Sequence, residues 1–397
     1  MKALKLKEGI YWVGAIDWDL RNFHGYVTQR GSTYNAYLII DDKITLIDNV
    51  KSYLYEEMIT RIKDIIDPSK IDIIIQNHIE MDHSGGLPEL IKLIPKATLY
   101  TNANGVKGLK RHFKQDWNFQ EVKNGESISI GKRTLSFLTT PMVHWPDNQF
   151  TYCPEEKILF SNDGFGQHIA STEHFAKDLP KGIVLEEAKK YYANIVLPYS
   201  KQVQNVLKVA KGLDIHMICP SHGVIWTEEN IPEIISAYIN WANNVSDRHR
   251  ALVIYDTMWK STQKLAYTIS EAFEEEGVST QLMNLQTNHI SDIMTEVMDA
   301  KFIAVGSPTL NSSILPTVAA FMYYLKGLSP KNKIGLAFGS YGWGGQSIPI
   351  LQELLQDPEQ CGFEMMEPIK TQYIPDQEEL NNIKNNLRQQ IKNKLEE

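Results

Sequence analysis

The sequence predicts an α/β protein made of two units, and three observations carry that reading. Beyond about residue 250, short apolar runs alternate strictly with helical stretches, the pattern of an open parallel sheet covered by helices on both faces. Before that point strands and helices are mixed without such order, and residues with metal-ligand chemistry follow the apolar runs. A length of 397 residues allows two or three domains, each able to bury its own core.

Residues 1–50 alternate apolar and polar positions and read as a β-meander, with strands around Ile10, Tyr34 and Ile44 and a turn at Asp41, Asp42 and Lys43. Between the first two strands, a loop from Asp17 to Tyr26 is long enough to reach over a neighbouring site. Residues 53–66 have helical spacing and end near Asp67-Pro68. The β-branched run from Ile71 to Gln76 then reads as a buried strand. Hairpin strands follow over 127–138, and helices are expected at 200–212 and 229–245. No internal repeat or low-complexity segment is present. Periodicity alone supports only a mixed α and β first unit.

The strand at Ile71 leads into Asn77-His78-Ile79-Glu80-Met81-Asp82-His83-Ser84-Gly85-Gly86. Four side chains able to ligate a metal, His78, Glu80, Asp82 and His83, fall within six residues on what reads as a loop before a helix. Imidazole with carboxylate suits iron or manganese better than a thiolate-rich set would. His144, Asp163 and His222 each follow a short apolar segment and stand beside Pro, Gly or Ser. Seven candidate ligands exceed the four of a tetrahedral ion. They suit two metals with one shared carboxylate.

A His-x-His-x-Asp-His run followed by lone His, Asp and His residues is the ligand set of the metallo-β-lactamase fold. Here Glu80 stands where the hydrolases have the second His. With that departure, the set resembles the flavodiiron proteins, also called A-type flavoproteins. The resemblance implies an N-terminal metallo-β-lactamase-like αβ/βα sandwich over residues 1–249. It also demands a C-terminal flavodoxin-like unit.

The pattern changes near 243–250. A strand begins at Ala251, then a helix at 262–276, a strand at 280–285 and a helix at 291–299. A strand at 301–306, a helix at 315–327 and a strand at 333–339 follow, with a terminal helix at 378–397. Residues 250–397 therefore read as a flavodoxin-like parallel α/β sheet. Ligands of such sheets bind outside the carboxyl ends of the strands. Three strand-end loops have suitable chemistry: Thr257, Met258, Trp259, Lys260, Ser261 and Thr262; Ser307, Pro308, Thr309, Leu310 and Asn311; and Ser340, Tyr341, Gly342, Trp343 and Gly344. Hydroxyls and a helix N-terminus can cradle a phosphate, and aromatic residues beside glycines can stack on a flat ring. Neither a Gly-x-x-x-x-Gly-Lys-Ser/Thr nor a Gly-x-Gly-x-x-Gly is present, which argues against a P-loop nucleotidase and a dinucleotide site. Together the loops resemble the phosphate loop and two isoalloxazine loops of flavodoxin, which binds FMN. Lys260 replaces the Gly usual there.

Composition excludes other classes. No apolar run of 18 residues exists, so no membrane span is expected, and the N-terminus has no signal-like apolar region; a cytoplasmic location is the expectation. Cys153, Cys219 and Cys361 are far apart and form no Cys-x-x-Cys pair, against a disulfide framework, a zinc ribbon or an iron–sulfur module. The net charge is −8, and residues 251–397 hold 11 Lys/Arg against 18 Asp/Glu, a net of −7. Such a chain is a poor nucleic-acid binder.

The flavodiiron resemblance implies two non-haem irons. It puts His78, Glu80 and His144 on one, Asp82, His83 and His222 on the other, and Asp163 between them; in some members the residue matching His83 is not a ligand. It implies reduction of NO to N2O, of O2 to water, or both, in defence of an anaerobe against nitrosative or oxidative stress. A reduced flavin and a diferrous pair hold four electrons, the number that O2 needs to reach two waters. His24 and Tyr191 match family positions near the open face of the irons. The family further implies a head-to-tail homodimer or a dimer of dimers, and an outside electron donor, rubredoxin or reduced F420. The alternative is a binuclear zinc hydrolase with an accessory flavodoxin-like domain, against which Glu80 stands.

Overall fold

The computed structural model describes residues 1–397. The chain divides into two compact units, Met1–Tyr191 with Tyr199–Ile239, and Tyr192–Pro198 with Asn240–Glu397.

The first unit holds a seven-stranded and a six-stranded sheet. In the seven-stranded sheet Leu4–Lys7, Ile10–Trp12, Tyr37–Ile39 and Thr45–Ile47 pair antiparallel in that order. Ile73–Ile75, Thr98–Thr101 and Phe119–Glu121 then continue it in parallel. The six-stranded sheet runs Ser127–Ser129, Thr134–Thr139, Gln149–Cys153, Ile158–Asn162, Met217–Pro220, Trp226–Thr227, parallel only between Ile158–Asn162 and Met217–Pro220. Period-2 alternation decides which side chains meet. Ile39, Ile47, Ile73 and Ile75 of one sheet join Phe137, Phe160 and Cys219 of the other in one buried cluster. Leu38, Leu46, Ile74 and Leu99 face the other way, onto the helices Tyr55–Ile65, Leu87–Leu93 and Ala103–Phe113. The first of these buries Met58, Ile59 and Ile62, carries Glu56 and Glu57 in its first turn, and has Lys63 in its last, as the helix dipole favours. Each such aliphatic side chain contributes about 1.5–3 kcal/mol on burial.

Two local readings differ from the sequence expectation. Met81–Ser84 is a turn of helix, so Asp82 and His83 leave a helix and not an open loop. The Glu80 carbonyl accepts from His83 N and Ser84 N at 2.9 Å, and Ser84 Oγ caps the turn on Ile79 O at 2.7 Å. A helix at Lys181–Tyr191, continued by a π-helical turn at Tyr192–Val196, was not expected.

In the second unit, five main strands are parallel in the order Ser279–Asn284, Asp247–Tyr255, Ala300–Gly306, Ile334–Tyr341, Glu364–Met365, with Ile369–Gln372 also beside Ile334–Tyr341. Their order in the chain is thus 2-1-3-4-5, and the switch point lies between the first and third strands. Ala251, Val253 and Tyr255 pack on the helix Ser261–Glu275 and on Leu387 and Ile391 of the terminal helix Gln377–Glu396. Asp376 caps that last helix, accepting from Glu379 N at 2.9 Å.

Candidate metal centre and flavin loops

Strand ends of both sheets of the first unit deliver the seven predicted ligands to one place. His78 and Glu80 follow the strand Ile73–Ile75, and Asp82 and His83 lie on the short helix after them. His144 precedes the strand Gln149–Cys153, Asp163 directly follows Ile158–Asn162, and His222 follows Met217–Pro220. All seven are buried. They form two groups, His78, Glu80, His144 and Asp163, then Asp82, His83 and His222, each with its ligand atoms within 4.8 Å of one another.

Asp163 divides its carboxylate between the groups. Oδ2 lies 3.5 Å from His78 Nε2 and 3.1 Å from His144 Nε2, while Oδ1 lies 2.9 Å from His83 Nε2 and 3.5 Å from His222 Nε2. Glu80 Oε2 lies 3.4 Å from both His78 and His144, and Asp82 Oδ2 lies 3.4 Å from His83 and 3.3 Å from His222. Each side therefore offers two imidazoles, one carboxylate of its own and one oxygen of Asp163.

These residues fit a pair of cations. His78 Nε2, both oxygens of Asp82 and of Asp163, and both ring nitrogens of His83 are buried without a hydrogen-bond partner. Leaving that many buried polar atoms unsatisfied is costly, and metal coordination satisfies them. Electrostatics agree. Burial alone would raise the Asp163 carboxyl, but His83, His144 and His78 hold it far below the usual carboxylate range. Burial likewise opposes charge on His83, yet Asp82 and Asp163 push it up to about 9. The cluster attracts positive charge.

Two residues that sequence reasoning missed orient the rings. Asp147 Oδ2 accepts from His78 Nδ1 at 2.9 Å and from Ile79 N at 2.8 Å, which aims Nε2 at the cluster. The Thr33 carbonyl accepts from His222 Nδ1 at 2.9 Å. Asp147 stands three residues after His144, so its loop was visible in the sequence; a main-chain carbonyl leaves no such signal. His168, given no role from sequence, is buried with its ring centroid 4.8 Å from that of His222 and its Nδ1 2.7 Å from Ser32 Oγ.

The loop predicted to reach over the site does so. His24 lies in the turn between Asn22–Phe23 and Tyr26–Val27, and its Nε2 is 2.9 Å from Glu80 Oε1. Tyr191 ends the unexpected helix, fully buried, with its ring centroid 5.8 Å from that of His222.

In the second unit the three candidate loops follow the first, third and fourth strands of the chain. They are tied together: Thr262 and Ser340 hydroxyls are 2.8 Å apart, Thr309 N donates to Ser340 O at 2.9 Å, and Thr309 Oγ1 is 2.9 Å from Ser347 Oγ. Lys260 holds a left-handed backbone (φ +66°) directly before the helix Ser261–Glu275, whose first N–H groups point at the loop. Thr257 Oγ1 is buried without a partner. Gly344 and Gly345 have φ of +83° and +74°. Trp259 and Trp343 are 87% and 84% exposed, so both rings stand open beside the loops. An anion cradle beside two free aromatic faces fits a flavin phosphate and ring.

Comparison with known proteins agrees with both units. Residues 33–223 match the ODP family beta lactamase, and residues 253–383 match flavodoxin. The chain is 44% identical to a nitric oxide reductase of Moorella thermoacetica, covering 89% of this chain and 90% of that protein. It is 42% identical to a rubredoxin-oxygen oxidoreductase of Megalodesulfovibrio gigas over 100% of both. A coenzyme F420H(2) oxidase of Methanocaldococcus jannaschii is 39% identical, over 96% of this chain and 94% of that one. Among solved structures, the flavodiiron protein of Giardia intestinalis superposes with a TM-score of 0.96 at 33% identity, covering 100% of this chain and 97% of that one. A divided carboxylate between two His-rich groups, a flavodoxin unit on the same chain and full-length similarity converge: this chain belongs to the flavodiiron family.

Proposed function

We propose that this chain is an oxidoreductase that reduces NO to N2O, O2 to water, or both, at a non-haem diiron site supplied with electrons through FMN. The observation that carries this reading is Asp163, one oxygen toward each ligand group, on a chain that also bears three flavin-type loops. Residues 1–249 form the diiron domain and residues 250–397 the FMN-binding domain. His78, Glu80 and His144 would hold one iron and Asp82, His83 and His222 the other, with the Asp163 carboxylate offered to both. When bound, the iron pair supplies open positions for a diatomic molecule and FMN supplies stored electrons.

The chain's own residues do the rest. Asp147 and the Thr33 carbonyl accept from Nδ1 of His78 and of His222, which turns each Nε2 toward the ligand cluster. Burial pushes the Tyr191 phenol well above its ordinary pKa, so its O–H stays protonated and serves as a donor to substrate. His24, exposed to solvent with its Nε2 2.9 Å from Glu80 Oε1, stands where it can hydrogen-bond to substrate at the open face. The loops at Thr257–Thr262, Ser307–Asn311 and Ser340–Gly344 hold the FMN phosphate and ring.

The relatives' names support an outside electron donor, a rubredoxin or reduced F420. No helix of the structure is long and apolar enough to cross a membrane, and we place the protein in the cytoplasm. A head-to-tail homodimer, or a dimer of dimers, brings the flavin of one copy beside the irons of another. The test is to reduce the iron- and FMN-loaded protein anaerobically and add NO and O2 separately, reading N2O by gas chromatography and O2 by electrode. Consumption of at least one gas with its product supports the reading. A loaded, reduced protein that consumes neither refutes it.

A further inference from the structure

The three flavin-type loops share their end of the second unit's sheet with a fourth piece of chain. Ile369–Gln372 pairs in parallel with the last part of Ile334–Tyr341, from Phe338 opposite Ile369 to Tyr341 opposite Gln372. Glu364–Met365 pairs with the first part of the same strand. Pro368, which has no N–H to give a ladder, stands between the two short strands. Because Ile369–Gln372 runs parallel to its neighbour, its end comes out level with the third loop, Ser340–Gly344.

Two residues there grip that loop. Gln372 Nε2 donates to Gly342 O at 2.9 Å, and Tyr373 N donates to Tyr341 O at 2.7 Å. The Tyr373 ring lies on Gly342: a Cβ on that glycine would fall 3.0 Å from Tyr373 Cε1. These contacts do not serve the core, since Gln372 and Tyr373 are both exposed. Tyr373 also holds a left-handed backbone (φ +56°), which a residue with a Cβ and a large ring disfavours. Strain of that kind persists where the surroundings over-determine it, and it gathers at ligand clamps. On its other flank the third loop is tied to the first two, by the Thr262 and Ser340 hydroxyls and by Thr309 N on Ser340 O. The exposed Trp343 therefore sits on a loop fixed from both sides.

Resting on the FMN reading above, we infer that Gln372 and Tyr373 are positioning residues of the flavin site, which hold the third loop in its ring-binding shape before FMN arrives. A loop ordered in advance does not have to be ordered by the ligand, so the hold contributes to affinity for the ring. The phosphate belongs to the first loop and the N-terminus of the helix Ser261–Glu275, and the hydrogen bonds of Gln372 and Tyr373 go to the third loop instead. Affinity for a bare phosphate does not depend on them.

The experiment dilutes the full-length holoprotein, reads released FMN by its fluorescence, and titrates inorganic phosphate as a competitor. Tyr373→Gly removes the ring and relieves the left-handed strain, while Tyr373→Phe keeps the ring. Gln372→Leu, at an exposed position, removes the other contact and carries the test if Tyr373→Gly does not fold. The expected result is an FMN dissociation constant raised roughly three- to tenfold in Tyr373→Gly and in Gln372→Leu, with wild-type affinity in Tyr373→Phe. The thermal midpoint of Tyr373→Gly does not fall, and the inhibition constant of inorganic phosphate, corrected for FMN affinity, stays unchanged. Wild-type FMN affinity in Tyr373→Gly overturns the inference, as it does in Gln372→Leu. Parallel weakening of FMN and phosphate with a lowered midpoint also overturns it, because that marks a merely structural role. A wild type that retains no FMN and takes none up is different: it removes the FMN reading itself, and this inference with it.

Discussion

Replacing Asp147 tests whether the ligand rings are held from behind. Both bonds it accepts, from His78 Nδ1 and Ile79 N, end on the same oxygen, Oδ2. Asp147→Asn can present its amide oxygen at that place, so the geometry survives and the charge is lost. Charge-assisted hydrogen bonds are about twice as strong as neutral ones, which puts the loss at roughly 1–2 kcal/mol. That is about a tenfold weaker hold on a metal bound at His78. Asp147→Ala removes both bonds and frees the imidazole to put its proton on Nε2, where iron must bind. Loss of such a partner weakens a metal site by about 10- to 100-fold, and we expect the upper end. The assay is retention of iron against a chelator series, with FMN content as an internal control. Iron held by Asp147→Ala as tightly as by wild type would refute the reasoning, because packing of the His78 ring on Trp145, with centroids 5.1 Å apart, would then suffice alone. Parallel loss of FMN would indicate general unfolding.

Further outcomes follow from other residues. Lys260 has a left-handed backbone where a non-glycine costs about 1 kcal/mol. Lys260→Gly should raise the thermal midpoint of the flavin unit in calorimetry yet weaken FMN binding several-fold in a fluorescence titration, by removing a positive charge near the phosphate. Burial pushes the Lys333 ammonium down to about 7, although its Nζ donates to Met298 O and Ala300 O. Between pH 7 and 10.5 the unfolded chain then binds more protons than the folded one, so stability rises with pH, by up to about 1.4 kcal/mol per unit. Denaturant unfolding should show that rise in wild type and a flat response in Lys333→Met. Glu80→His restores the hydrolase ligand pattern, and elemental analysis of protein made with both metals supplied should find zinc gained at the expense of iron.

Much of the site was legible because its chemistry is concentrated in the sequence. His78, Glu80, Asp82 and His83 stand in one run, and each later ligand follows an apolar segment, so the structure gathers side chains the sequence had already marked. The flavin-type loops were legible through strict strand and helix alternation, which fixes where strand ends fall. The groups that hold the ligands were less visible. Asp147 acts on a residue 69 positions away, and Thr33 acts through its main chain. Tyr191 came from resemblance alone. Its helix escaped notice because the buried positions Val184, Glu187, Ala188 and Lys190 mix charged with apolar residues and give no clean stripe. His168 looked like any histidine, since its neighbours Phe23, Tyr26 and His222 come from distant parts of the chain.

The most direct measurement is the content of iron, zinc and flavin per chain in the purified protein. Two ligand groups and one set of three loops lead us to expect about two irons and one FMN per chain. Zinc in place of iron, with no flavin retained after reconstitution with FMN, would contradict it.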